Sequence, residues 1–218
     1  MYEPLVPAHA SIPLNLPLSV SMVNFESPTR FWLRLAYTKT PFIKHFVRGC
    51  ERHLYSAEIG QYCVADTRHT VVDLARAIVT DVFRNTAGMH VSAEVQCIDY
   101  GLTLVLGLDR LFPLSVEDAR TPCGAVLCRL HRVATCTRQP PRWRLPANVQ
   151  LEAVFVGISN AGVYQTRLFA LREEGDGTLA KVDVANDFIC AGEAMEIGYL
   201  RPKSNFDTLV VQAQDLRN

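Results

Sequence analysis

The sequence predicts a mainly β (α+β) protein organised around a small, strongly bent barrel. Three observations predict it. First, Val95-Gln96-Cys97-Ile98 has the β-branched and apolar character of a strand and runs into Asp99-Tyr100-Gly101, a turn signal with a glycine at the bend. Second, strand character resumes at once over Leu102–Leu106, and Ala75-Arg76-Ala77-Ile78-Val79 forms another such run earlier in the chain. Third, the strands between residues 59 and 114 are short and regularly spaced, which suits a barrel better than an open sheet.

The elements follow in order. Residues 1–17, with Pro4, Pro7, Pro13 and Pro17, read as an extended leader, without the basic start and continuous apolar run of a signal peptide. Leu18–Tyr37 reads as two strands around a turn at Asn24–Pro28, with Phe31, Leu33 and Leu35 alternating on the second. Thr40-Pro41 is a helix start, threonine as cap and proline in the first turn. Phe42, Phe46, Cys50 and Leu54 continue it at helical spacing toward Tyr55-Ser56. Barrel strands are expected at Tyr62–Ala65, Val71–Asp81, His90–Asp99 and Leu102–Leu106, with a closing piece at Leu111-Phe112. Ser115 caps a short helix with Glu117 and Asp118 in its first turn. Strands resume at Ala125–Val133, Leu151–Ile158, Val163–Ala170 and Lys181–Val184, and Asn186–Met195 is expected to be a short helix. The stretch from Leu200 reads as a tail, with an edge strand conceivable at Leu209–Val211.

Composition narrows the function. A chain of 218 residues holds one large domain or two small ones. Lys+Arg and Asp+Glu balance at 22 each, so no global basic field is available to hold a nucleic-acid backbone, although a local patch stays open. No apolar run reaches the roughly 18 residues of a membrane span. Seven cysteines, an odd number without a secretory start, argue for free thiols in a reducing compartment. Cys123, Cys128, His131 and Cys136 lie close but fit no zinc spacing, and Cys128–Val133 alternates as a strand, so these residues are read as structural. No metal, cofactor or catalytic residue is expected. No Ser/His/Asp or Cys/His set sits in a recognisable motif, and Asp183, Glu193 and Glu196 are too weak a basis for a nuclease metal site.

The strands before the barrel and those after it each lack the apolar mass for a core of their own. They are therefore expected to pack together as one discontinuous domain with the barrel inserted. The expected division is residues 18–56 with 115–200 for the outer domain, 57–114 for the barrel, and 201–218 for the tail.

This order of pieces resembles the extended Tudor domain over nearly the whole chain. The motifs are Phe25-x-x-Pro28-x-x-Phe31-Trp32-x-x-Leu35, Gly60-x-Tyr62-Cys63-Val64-Ala65, Arg76-Ala77-x-Val79, Ile98-Asp99-Tyr100-Gly101, Leu111-Phe112-Pro113-Leu114, and Cys128-x-Leu130 with Trp143 downstream. Val163–Phe169 and Asp183-Val184 complete them. The resemblance implies a five-stranded Tudor barrel inserted into a discontinuous staphylococcal-nuclease-like OB-type domain. It implies a non-enzymatic adaptor for an arginine-rich peptide of a Piwi-clade Argonaute or related partner, in a cytoplasmic germline ribonucleoprotein granule (nuage). Such domains hold methylated arginine in a cage of aromatic faces, each contributing about 0.5–2 kcal/mol by cation–π attraction.

The chain departs from that cage. Ala75, Cys97 and Leu102 stand where the resemblance puts two aromatics and an asparagine, and the first cage position falls in the Asp66–Thr70 loop, where His69 is the only ring. Tyr100 is the remaining cage aromatic. An unmethylated or methylation-indifferent ligand follows. Asp66 and Asp73 are candidates for a bidentate carboxylate–guanidinium contact, which needs no cage. Asp99 has two readings, a partner for a ligand arginine or a bond to the turn it begins. Tyr100 likewise either stacks on a cation or packs across the barrel. Phe31 and Trp32 are expected in the core, with a groove between the domains as their other reading. A structural or self-association module with a decayed cage is the main alternative. Single-stranded RNA binding on the OB-type surface, near Arg129, Arg132, Arg138, Arg142, Trp143 and Arg144, is not favoured.

Overall fold

The computed structural model describes residues 11–38, 43, 52–68, 72–136, 149–173 and 179–197. Two barrels dominate them. The first is assembled from both ends of this span: β1 (Pro17–Ser27), β2 (Arg30–Leu35), β8 (Val126–Leu130), β10 (Gln150–Ile158), β11 (Tyr164–Glu173) and β12 (Leu179–Asp183) form one six-stranded sheet. β10 pairs with both β1 and β11, so β1, β2, β8, β11 and β10 close on themselves, and β12 extends β11. All pairs are antiparallel except β8 with β11. A closed five-stranded barrel with one parallel pair is the OB-type arrangement, and closure leaves no unpaired edge in the ring.

Alternation along these strands fills the barrel. Phe31, Leu33 and Leu35 of β2 meet Leu151, Ala153 and Phe155 of β10 and Leu168 and Ala170 of β11, all buried. Helix α2 (Val184–Cys190) starts where the Asp183 carboxylate accepts the Ala185 N–H at 3.0 Å, and it inserts Val184 and Phe188 into the same core. The Phe188 ring stacks on Phe25 at 5.4 Å.

The second barrel lies between β2 and β8 in sequence. Its strands are β3 (Tyr62–Asp66), β4 (Leu74–Arg84), β5 (His90–Cys97), β6 (Thr103–Gly107) and β7 (Leu111–Pro113), in the spatial order β6-β5-β4-β3-β7. A single 3-10 turn, Leu108–Arg110, joins the two end strands. Register shifts in the β4–β5 ladder at Val79/Asp81 and Phe83/Arg84 supply the bend. Small residues line the interior: Ala65, Ala77, Ala93, Cys63, Val79 and Val95 are all essentially buried, as a narrow barrel demands. This is the insertion of a five-stranded barrel into a discontinuous OB-type domain that the sequence predicts.

Several elements differ in detail. The turn expected at Asn24–Pro28 is displaced to Pro28-Thr29, because β1 continues through two bulges. Asn24 acts in the bulge, its side-chain oxygen accepting the Phe25 N–H at 2.9 Å. β5 stops at Cys97 rather than Asp99, and β4 begins at Leu74. Short α1 (Val116–Arg120) forms as expected, Ser115 Oγ accepting the Asp118 N–H at 3.0 Å. The strand expected through Val133 is broken at His131-Arg132, where Arg132 adopts a φ of 58°, and resumes as β9 (Val133–Thr135). β9 pairs with β13 (Ala194–Glu196), which takes the end of the helix expected through Met195. Residues 52–56 carry no helix, and apart from Ile43, which is buried, the rest of the helix expected from Thr40 lies outside the described residues, as do the tail and the Trp143 segment.

Candidate functional site

Folding brings four of the sequence-selected positions together. Ala75 on β4, Cys97 at the end of β5, and Tyr100 and Leu102 on the turn into β6 form one apolar cluster with Val72 and Leu104. Ala75 and Cys97 are buried at 1% and 0% exposure, so each fills its place with a small side chain rather than facing an empty cage. Tyr100 is the only aromatic ring in this cluster among the described residues, and His69 lies outside them. The ring is half-buried, and burial pushes the phenol pKa up, with the Asp99 charge adding to that and Arg34 opposing it. The guanidinium of Arg34, on β2 of the OB-type barrel, lies 5.8 Å from the Tyr100 ring centroid. It is fixed there by donating from Nη2 to the Asp99 carbonyl at 3.0 Å and from Nε to the Gly124 carbonyl at 3.3 Å.

The carboxylate of Asp99 is committed elsewhere. It takes a bidentate pair from Arg76, Nη2 to Oδ1 at 2.7 Å and Nε to Oδ2 at 2.9 Å, and the Gly124 N–H at 2.7 Å. Both side chains are buried, at 1% and 2% exposure. Arg76 also donates to the carbonyls of Asp118, Thr121 and Pro122. Burial alone lowers the Arg76 pKa, but the hydrogen bonds and charge of Asp99 outweigh it and the net shift is upward. This network ties the inserted barrel to α1 and to the start of β8. It corrects both sequence readings of Asp99: the carboxylate is not open to a ligand guanidinium, and it does not bond its own turn. A buried arginine in an apolar strand requires a carboxylate; Arg76 among apolar neighbours was therefore the signal for this pair.

Of the other carboxylates, Asp66 is 3% exposed and lies 3.5 Å from Arg68 Nε, so it too is engaged within the chain. Asp73 is exposed at the loop edge beside the cluster, and its backbone carbonyl accepts the Thr67 N–H at 2.8 Å. Asp73 is thus the one of the three that faces solvent.

Phe31 is fully buried in the OB-type core. Trp32 has a double role: it is 3% exposed, yet it lines a cleft of about 210 Å³ between the two barrels, with Tyr62, Gln96, Cys123, Leu127 and Tyr164. Its indole rests on Gly101, where an added Cβ would overlap the ring. The Gly101 carbonyl accepts from Asn24 Nδ2 at 2.8 Å, closing the contact between the barrels. The Gln96 Nε2 amide is buried beside this cleft without a hydrogen-bond partner. Among the described residues no group of three or more His, Cys, Asp or Glu is placed to hold a metal, and no helix is long and apolar enough to cross a membrane. The six described cysteines are free.

A bent barrel inserted into an OB-type barrel, with a buried arginine–aspartate pair of the inserted barrel bonded to the segment that leads into β8, is the architecture of the extended Tudor fold. Solved structures agree. The human TDRD1 extended Tudor domain, in complex with a symmetrically dimethylated peptide, has a TM-score of 0.70 at 19% identity, covering 88% of this chain and 96% of its own. The extended Tudor domain TD3 of mouse TDRD1, in complex with a MILI peptide containing dimethylarginine, has a TM-score of 0.66 at 16% identity, covering 88% and 99%. The Drosophila melanogaster Papi extended Tudor domain, a variant in complex with a Piwi N-terminal symmetrically dimethylated peptide, scores 0.61 at 18%, covering 83% and 99%. No family model matches the sequence, and no curated protein matches it.

Proposed function

We propose that this chain is a non-enzymatic adaptor module that takes an arginine-containing peptide of a Piwi-clade Argonaute or related partner. The setting would be a cytoplasmic germline granule. The observation that supports the reading is the cluster around Tyr100: Ala75, Cys97 and Leu102 pack together with that ring, at the positions where the resemblance puts two further rings and an amide. The same fold in TDRD1 and Papi is seen with dimethylated peptides. Here the ligand is unmethylated, or bound without regard to methylation. With at least two faces absent, the loss is about 1–4 kcal/mol, a factor of roughly five to several hundred for a methylated side chain. Asp73 supplies charge at the rim, and the unpaired Gln96 amide gives the inter-barrel cleft one donor for a peptide carbonyl.

Calorimetric titration with matched Piwi-type N-terminal peptides, unmodified and symmetrically dimethylated, tests this. Weak binding of both forms, within about threefold of each other, is expected. A preference of about tenfold or more for the methylated peptide would overturn the incomplete-cage reading. No heat with either peptide, at concentrations reaching a millimolar, would overturn peptide binding.

A further inference from the structure

The described chain already carries a cation on its one pocket ring. We infer that Arg34 is a specificity-determining residue of the Tyr100 pocket, a resident guanidinium that an incoming arginine must displace or tolerate. The inference rests on the arginine-peptide reading above and names what limits it. Arg34 lies over the ring at 5.8 Å and is held by two backbone carbonyls, Asp99 in the turn itself and Gly124 just before β8. Those carbonyls are where a guanidinium approaching Tyr100 from the OB-type side would find acceptors. Arg34 thus occupies both the ring face and the hydrogen bonds beside it. A second guanidinium at the same place meets a like charge, and the Asp99 carboxylate beside it is already taken by Arg76. Arg34 is anchored by its position on β2, opposite Ser21 of β1, so the ring face is covered by the packing of one barrel on the other rather than by a loop.

The pocket therefore discriminates against free cations, and the determinant sits on the OB-type barrel, outside the inserted barrel that supplies Tyr100. Removing the charge while keeping a donor should convert the pocket. In Arg34→Gln the side-chain amide can still reach toward the Asp99 carbonyl, but the ring face is no longer covered by a cation. Arg34→Lys keeps the charge and serves as the conservative control.

The experiment titrates the whole chain and these two variants with a synthetic peptide of alternating glycine and arginine, unmethylated, at low and moderate salt. Arg34→Gln is expected to bind roughly three- to tenfold more tightly than wild type, with Arg34→Lys unchanged. Equal binding by wild type and Arg34→Gln overturns the inference while leaving the peptide reading in place. Absence of binding by all three overturns both. Binding by Arg34→Gln alone supports the inference and shows why the wild-type pocket is silent. A second readout is independent of any peptide: the Arg34 Nε–H resonance should carry an upfield ring-current shift that vanishes in Tyr100→Leu. A shift unchanged in that variant would overturn the contact itself.

Discussion

Removing the Asp99 charge should cost the protein a large fraction of its stability. In Asp99→Asn the shape is kept, but Arg76 becomes a buried cation, 1% exposed, whose remaining partners are neutral carbonyls. The amide can accept from Arg76 with only one oxygen, and its NH2 group points a donor at either an arginine N–H or the Gly124 N–H, which now lie 2.7–2.9 Å away as donors themselves. Breaking one side of a buried pair costs about 3–5 kcal/mol. Against the roughly 5–15 kcal/mol of a typical domain, this approaches global unfolding. Arg76→Met is expected to cost about as much, since it strands the carboxylate with Gly124 alone and takes the arginine donor from the Thr121 and Pro122 carbonyls, while the Asp118 carbonyl keeps the Thr121 N–H. The double variant Arg76→Met/Asp99→Leu should cost less than the sum of the singles by about 2 kcal/mol or more, because no charge is then left buried alone. Urea denaturation followed by circular dichroism reads all three. Because the pair is buried, 1 M salt should change the Asp99→Asn penalty little. A penalty under about 1 kcal/mol, or one that salt largely erases, would refute the reasoning that these two groups are desolvated and mutually dependent.

Other outcomes follow from the same geometry. Gly101→Ala should destabilise by about 2 kcal/mol or more in the same urea assay, since Gly101 has a φ of 66° and its new methyl would overlap the Trp32 indole. Restoring rings with Ala75→Phe and Cys97→Tyr should raise selectivity for a symmetrically dimethylated peptide over the unmodified one. It should also cost about 1–3 kcal/mol each, because both sites are already filled; selectivity without a stability loss would mean the sites are roomier than they look. At pH 8 a maleimide should label Cys136 and Cys190, which are exposed, far faster than Cys63, Cys97 and Cys128, where burial pushes the thiol pKa up to about 12. Those three thiols stay protonated in the folded state while the unfolded chain ionises them from about pH 9, so stability should fall as pH rises from 9 toward 12. Each thiol can contribute up to about 1.4 kcal/mol per pH unit in that window, and a flat urea midpoint across it would contradict the burial.

The sequence made the barrels legible through two kinds of signal. Strand period and turn residues located β3 to β7 within a few positions, because a narrow barrel packs small and β-branched residues that leave an alternating trace. The order of motifs, rather than any one of them, indicated the divided outer barrel. Misplaced details were those decided by contacts distant in sequence. Asn24-Phe25-Glu26-Ser27-Pro28 has the composition of a turn, yet β2 and the Gly101 carbonyl hold Asn24 in a bulged strand. The break at His131-Arg132 and the β9–β13 pair depend on a partner about sixty residues away, which no local period encodes. Tyr100, Ala75, Cys97 and Leu102 were found to lie together because they flank one turn and the neighbouring strand. Arg34 was missed because its partners are the carbonyls of Asp99 and Gly124, and backbone acceptors have no letter in a sequence.

That difference bears on how such a pocket can change while the fold persists. The energetic weight of the junction lies in Arg76, Asp99, Trp32 on Gly101, and Asn24, none of which contributes a ring to the Tyr100 cluster. Cys97 among the cluster residues is buried completely and Ala75 nearly so, and both pack against Val72 and Leu104 as small side chains. Loss of cage aromatics is therefore cheap for folding so long as the replacements pack, whereas loss of Asp99 is not. The consequence is a separable pair of readouts. Variants of Tyr100 should move peptide affinity with stability nearly constant, variants of Arg34, which bonds the Asp99 carbonyl across the junction, should move both, and variants of Arg76 and Asp99 should move stability before affinity can be measured at all. If Tyr100→Leu instead lost as much stability as Asp99→Asn, the pocket would be part of the junction, and its residues would be constrained by folding rather than by a ligand.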